Sequence, residues 1–158
     1  MRNSVMSILG ISPVLAPLEE HELRQVAAAS RRREAAAGEI LFAHGQQDTR
    51  FYVLQRGRVV VHLKFMSGKR CKGETSIVLS RRGQTLGWSA LIRGDRISAS
   101  ARCLEDSSFV AVDLRRLAPG ELALKVYRRL VQQLYGLLQE AGLCPPNPRA
   151  LLAFGAPM

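Results

Sequence analysis

Between Glu39 and Asp113 the chain is a succession of short runs rich in β-branched and aromatic residues. They are Glu39–Ala43, Phe51–Gln55, Arg58–Phe65, Ser76–Ser80, Ser98–Leu104 and Ser108–Asp113. Runs this short, each closed by turn residues, read as strands. The turns are His44-Gly45-Gln46-Gln47-Asp48, Arg56-Gly57, a hairpin tip over Met66–Glu74, Arg81-Arg82-Gly83-Gln84 and Glu105-Asp106-Ser107. Short strands joined by tight turns define an antiparallel sandwich or barrel of the jelly-roll kind.

Helical periodicity brackets this region. Pro17 stands near a first turn, with Glu19, Glu20 and Glu22 ahead of Arg31, Arg32 and Arg33, while Leu23, Val26, Ala27 and Ser30 recur at helical spacing. Acid first and base last suits a helix dipole, so the pattern predicts a helix stopping shortly before Gly38, its arginine triplet a solvated C-terminus. Leu114–Ala118 reads as a single helical turn broken at Pro119-Gly120. Beyond it Leu122, Val126, Tyr127, Leu130, Val131, Leu134, Leu137, Leu138 and Ala141 recur at i, i+3 and i+4, which predicts a helix over 121–141. Its wide apolar stripe either packs along the barrel or seams against a second copy.

The expected fold class is therefore mainly β with flanking helices: an antiparallel jelly-roll β-barrel, an N-terminal helix and a long C-terminal helix. The domain boundaries follow: an N-terminal arm over 1–16, one domain over 17–142 and a Pro-rich tail over 143–158. The arm, with Ile8, Leu9, Ile11, Val14 and Leu15, is a docking segment or a frayed lead-in.

Composition narrows function. A length of 158 residues at 47% hydrophobic is an ordinary globular domain, and a net charge of +10 favours anionic partners. The basic residues are spread along the chain without interleaved aromatics, so a solvated basic face is the default over a nucleic-acid surface. Cys71, Cys103 and Cys144 are odd in number and lack a C-x-x-C pair, which encodes neither a disulfide framework nor a zinc ribbon and suits a reducing, cytoplasmic setting. Cys103, within an apolar alternation, reads as a small core residue. No apolar run is long enough for a membrane-spanning helix, so no membrane insertion is expected.

Catalytic constellations are missing from the pattern. His21, His44 and His62 are scattered over a helix, a turn and a strand with no carboxylate at ligand spacing, and Ser89 lacks the second glycine of a nucleophile elbow. The reading is that the chain is not an enzyme and holds no metal. One internal stretch is neither strand nor simple turn: Leu86-Gly87-Trp88-Ser89-Ala90-Leu91-Ile92-Arg93-Gly94-Asp95-Arg96-Ile97-Ser98-Ala99-Ser100. A glycine turn, a short apolar segment and a basic return can aim backbone N–H groups and an arginine at one small anion. The candidate ligand-binding residues are Gly87, Trp88, Ser89, Ala90, Arg96, Ser98 and Ala99.

This stretch resembles the phosphate-binding cassette of cyclic nucleotide-binding domains, the family of the catabolite activator and of protein-kinase regulatory subunits. Matching positions are Gly38 before Ile40-Leu41-Phe42, Gly45, Asp48, Tyr52-Val53-Leu54, Gly57 with Val59, Gly87, Ala90-Leu91, Ser98-Ala99, Ala101 and Leu104-Glu105-Asp106-Ser107, spanning most of the chain from Pro17 to Ala141. The resemblance implies cyclic AMP or cyclic GMP as ligand and output through the final helix.

Two positions depart from the family. Where it places a ribose-binding glutamate this chain has Trp88, and where it places a phosphate-binding arginine it has Ile97, with Arg96 one residue earlier. Losing a charge-assisted bond to a buried anion costs about 1.5–3 kcal/mol, roughly one to two decades in affinity. The pocket therefore either holds its anion in another pose, with Trp88 stacked on a base, or is filled by Trp88. The expected function is a stand-alone regulatory sensor that binds a cyclic nucleotide or other small anion non-canonically and signals or homodimerises through its C-terminal helix. A ligand-free protein-interaction module and a nonspecific nucleic-acid binder are the alternatives. Specific DNA binding is not expected, because only a short tail follows the helix.

Overall fold

The computed structural model describes residues 5–43, 50–67, 69–87, 97–117 and 120–140. His44, Asp48, Cys144 and the tail over 143–158 lie outside these. The order is α1 (Val5–Ile11), α2 (Glu20–Ala28), β1 (Ser30–Ala35), β2 (Ile40–Phe42), β3 (Arg50–Arg56), β4 (Val59–Ser67), β5 (Arg70–Leu79), β6 (Thr85–Leu86), β7 (Ile97–Cys103), β8 (Ser107–Asp113), a 3-10 turn (Leu114–Arg116) and α3 (Glu121–Glu140).

The strands form two antiparallel four-stranded sheets, ordered β1-β8-β3-β6 and β2-β7-β4-β5. They are not closed into one hydrogen-bonded barrel among the described residues, so the jelly roll is an open two-sheet roll. Strand parity assigns the faces. Tyr52 stacks on Phe42 of the opposite sheet, with ring centroids 6.2 Å apart, and meets Phe109 edge-on at 6.0 Å. Tyr52, Leu54, Phe109 and Ala111 therefore face the interior of the roll. The other parity of the same strands, Phe51, Val53, Val110 and Val112, is equally buried, because α1 lies against β1, β3 and β8. A strand covered on both faces reads as a continuous apolar run, as Phe51–Leu54 does. The second sheet alternates: Val59, Val61, Leu63, Ala99, Ala101 and Cys103 are buried, while Val60, His62 and Ser100 are half-buried and Arg102 is exposed.

Two local expectations are corrected. The predicted helix ends at Ala28, and Arg31–Arg33 form part of strand β1 rather than a helix C-terminus. The physical reason is the pairing with β8, which begins with the Asp113 N–H donating to the Ala29 carbonyl, while the Ser30 hydroxyl donates to the Val26 carbonyl at 2.6 Å. The backbone then pairs with β8 from Ser30↔Val112 to Ala35↔Ser107. A basic edge strand also resists pairing with other chains. The expected hairpin tip is shorter than read, since β4 and β5 pair as far as Ser67↔Arg70. In the N-terminal segment Ile8, Leu9, Val14 and Leu15 are buried, as a docked element requires.

Helix α3 lies over the first sheet and the N-terminal segment. Val126, Leu130, Val131 and Leu134 are buried in the common core. Polar contacts that hold it include the Lys125 ammonium donating to Glu22 at 3.0 Å, the Arg129 guanidinium donating to the Pro13 carbonyl at 3.0 Å, and the bond between Gln133 and Thr85. No helix among the described residues is long and apolar enough to cross a membrane.

Candidate functional site

The candidate site begins where β6 ends. Leu86 pairs with Tyr52, and Gly87 follows with φ of 100°, a backbone conformation that side-chain-bearing residues rarely adopt. A Cβ placed on Gly87 would stand 2.9 Å from the Phe51 Cα, 3.1 Å from the Arg50 carbonyl oxygen and 3.2 Å from Tyr52 Cδ2. Gly87 itself therefore lies directly against β3, and only glycine fits there.

The described chain resumes at β7. Ser98 and Ala99 occupy the register positions opposite Lys64 and Leu63, and Ile97 stands opposite Phe65. Ala99 and Ala101 are buried, small residues that leave room on the inner face of β7. Ile97 shares their parity along the strand. Gly87 and Ala99 are thus the first and last of the candidate residues in the described structure. Trp88, Ser89, Ala90 and Arg96 lie outside the described residues, as does the Ser98 side chain.

The wall beside Gly87 is aromatic and carries a cation. The Arg33 guanidinium lies 5.5 Å from the centroid of the Tyr52 ring and donates through Nη1 to the Tyr52 hydroxyl at 3.0 Å. Its Nη2 reaches Glu39 at 3.4 Å. Sequence reasoning missed this residue because the triplet was read as a helix end. Strand parity alone, applied from Ala35 backwards, is the signal that would have turned Arg33 inward.

A second missed residue is Gln133. Thr85 is fully buried, and its hydroxyl is hydrogen-bonded to the Gln133 amide oxygen. The strand that delivers the chain to Gly87 is therefore tied to the middle of α3.

Other candidate chemistry is structural. Burial pushes the Cys103 thiol up from its ordinary pKa, which keeps it protonated and inert, as its reading as a core residue implies. His62 accepts or donates at 2.7 Å to Ser76 and lies 3.4 Å from Glu74 on the outer face of the β4–β5 pair. Among the described residues no group of His, Cys, Asp and Glu could hold a metal.

The described residues form an open two-sheet roll with Gly87 at the end of β6 and a long helix, α3, packed back onto the common core. The sequence model of the cyclic nucleotide-binding domain matches residues 32–119, more than half of the chain, and the chain belongs to that family. Solved structures agree in fold. The N-terminal domain of a transcriptional regulator from Streptomyces coelicolor A3(2) superposes with a TM-score of 0.59 at 22% identity, over 89% of this chain and 98% of that one. The catabolite activator protein of Thermus thermophilus gives 0.58 at 25% identity, over 84% of this chain and 61% of that one. The regulatory subunit of a cAMP-independent protein kinase A from Trypanosoma cruzi, bound to guanosine, gives 0.64 at 18%, and this chain spans 90% of its own length but 52% of that subunit. No curated protein matches the sequence.

Proposed function

We propose that the chain is a regulatory sensor domain that takes a small anion, a cyclic nucleotide among the candidates, at the turn led by Gly87. Occupancy of that turn is passed to α3. The observation that carries this reading is the hydrogen bond between Thr85 and Gln133, because β6 runs without a break into Gly87. A displacement at Gly87 that reaches Thr85 is felt by α3 through this contact. A ligand biases such a pair only if it contacts the two arrangements differently.

The pose departs from the family's usual one. Trp88 supplies a flat ring and a single N–H donor where a carboxylate would accept from a ribose, and Ile97 supplies no charge. Recognition then rests on backbone N–H groups of the turn from Gly87 to Ala90, the hydroxyls of Ser89 and Ser98, the charge of Arg96 and stacking on Trp88. The Trypanosoma regulatory subunit, described as cAMP-independent and bound to guanosine, supports a reading in which this fold serves a ligand other than cyclic AMP.

Isothermal titration with cyclic AMP, cyclic GMP and cyclic dinucleotides tests the proposal. Saturable heat from one of them, with changed hydrogen exchange along α3, is the expected result. The absence of heat from all of them at millimolar concentration overturns the ligand half of the reading.

A further inference from the structure

Of the arginine triplet only Arg33 stands in the wall beside Gly87, and Arg32 is left unused by that site. On β1, the first strand of its sheet, Arg32 and Glu34 have the parity opposite to Arg33. Glu34, Ser108 and Arg56 form one row across β1, β8 and β3. The ladder between β3 and β8 shifts register between Leu54 and Arg56, which leaves Gln55 as the extra residue of a bulge. Bulges of this kind re-aim side chains at the end of a sheet.

Here they frame a cleft of about 160 Å³ lined by Arg32, Arg33, Glu34, Gln55, Arg56 and Ser108. The Arg33 guanidinium is committed to Tyr52 and Glu39. Arg32 and Arg56 are exposed and have no ion-pair partner among the described residues. The wall therefore offers two uncommitted guanidinium groups, a hydroxyl and an amide, against one carboxylate, Glu34.

We propose that this cleft is a second anion site, independent of the Gly87 turn, for a single phosphoryl group: free orthophosphate or a terminal phosphate monoester. Guanidinium forks match tetrahedral oxyanions with paired N–H donors, and the serine hydroxyl and glutamine amide add neutral donors. The volume falls below the about 300–1,000 Å³ of pockets that enclose a drug-sized molecule, so the cleft takes the phosphoryl group and leaves the rest of a monoester outside. Glu34 opposes the anion and sets the affinity low.

Amide resonances of the protein are followed during titration with sodium phosphate and, separately, phenyl phosphate, at constant ionic strength held with sodium chloride. Saturable shifts at Gln55, Arg56 and Ser108 are expected. Arg32→Ala and Arg56→Ala weaken the binding at least tenfold each, while Glu34→Gln strengthens it. Saturation by orthophosphate alone identifies the free ion, and saturation by phenyl phosphate identifies the monoester. Shifts that sodium chloride reproduces, that are confined to Gly87 and Ala99, or that survive both arginine variants unchanged overturn the proposal.

Discussion

Replacing Gly87 by alanine tests the backbone conformation and close packing of that residue against β3. At φ of 100° an alanine is strained, at a cost of about 1–3 kcal/mol. The new methyl also meets the Phe51 Cα at 2.9 Å and the Arg50 carbonyl oxygen at 3.1 Å, and these are main-chain atoms that cannot swing aside. Overpacking of this kind adds about 1–3 kcal/mol. The sum, about 2–6 kcal/mol, corresponds to a fall in Tm of at least about 4 °C for a chain of this size. Differential scanning calorimetry reads it directly. Gly10→Ala serves as the control: Gly10 lies in α1 with nothing within 4 Å of the added methyl, and its variant is unchanged or slightly more stable. A Gly87→Ala protein melting with the wild type would refute the close approach of Gly87 to β3.

Three further outcomes follow from the packing. Leu130→Ala, at a fully buried position of α3, costs about 2–5 kcal/mol in urea unfolding, whereas Leu104→Ala, 44% exposed, changes stability by less than about 0.5 kcal/mol. Tyr52→Phe removes the acceptor of the Arg33 bond but keeps the ring under the guanidinium, so the loss is about 1 kcal/mol; a loss as large as that of Leu130→Ala would show the ring itself to be displaced. The contact between α2 and α3 is pH-dependent at both ends. The Glu19 backbone N–H, and then Lys125, hold the Glu22 carboxyl below its ordinary pKa, so its contribution is full at neutral pH and fades as pH falls through that lowered value. Hydrogen bonding to Glu22 raises Lys125, whose contribution is full below the ordinary lysine pKa and is lost as pH rises through the raised one. The stability gap between wild type and Glu22→Gln, from urea midpoints, is therefore expected at neutral pH and should close in acid; a gap independent of pH contradicts the pairing.

The β region was legible because its residues obey the alternation and turn chemistry of strands; Gly38, Gly57 and Gly87 all have positive φ where turns were expected. Arg31–Arg33 were not legible, because arginines suit both a helix C-terminus and a basic edge strand. What separates the two is the availability of β8 as a partner, which leaves no periodic trace. Residues 5–15 carried too few apolar positions between Gly10 and Pro13 to declare a helix, yet α1 forms because the sheet face beneath it needs covering. Gly87 at a strand end and Ala99 within a strand were legible from turn chemistry and alternation, and their part in a ligand site belongs to the proposal above. Arg33 and Gln133 were not legible, since each acquires its role from a partner far away in the chain: Tyr52 for the one, Thr85 for the other.

The central proposal is that the Gly87 site still takes a ligand although Trp88 and Ile97 stand where the family carries two recognition groups. Thermal shift of the wild type beside the double variant Trp88→Glu/Ile97→Arg, each with cyclic AMP and cyclic GMP, measures this most directly. Restoring a carboxylate for the ribose and a guanidinium for the phosphate should improve affinity by one to two decades or more, so the account predicts a clear stabilisation of the double variant and a much smaller one of the wild type at equal ligand. A folded double variant that neither nucleotide stabilises beyond the wild type would contradict it.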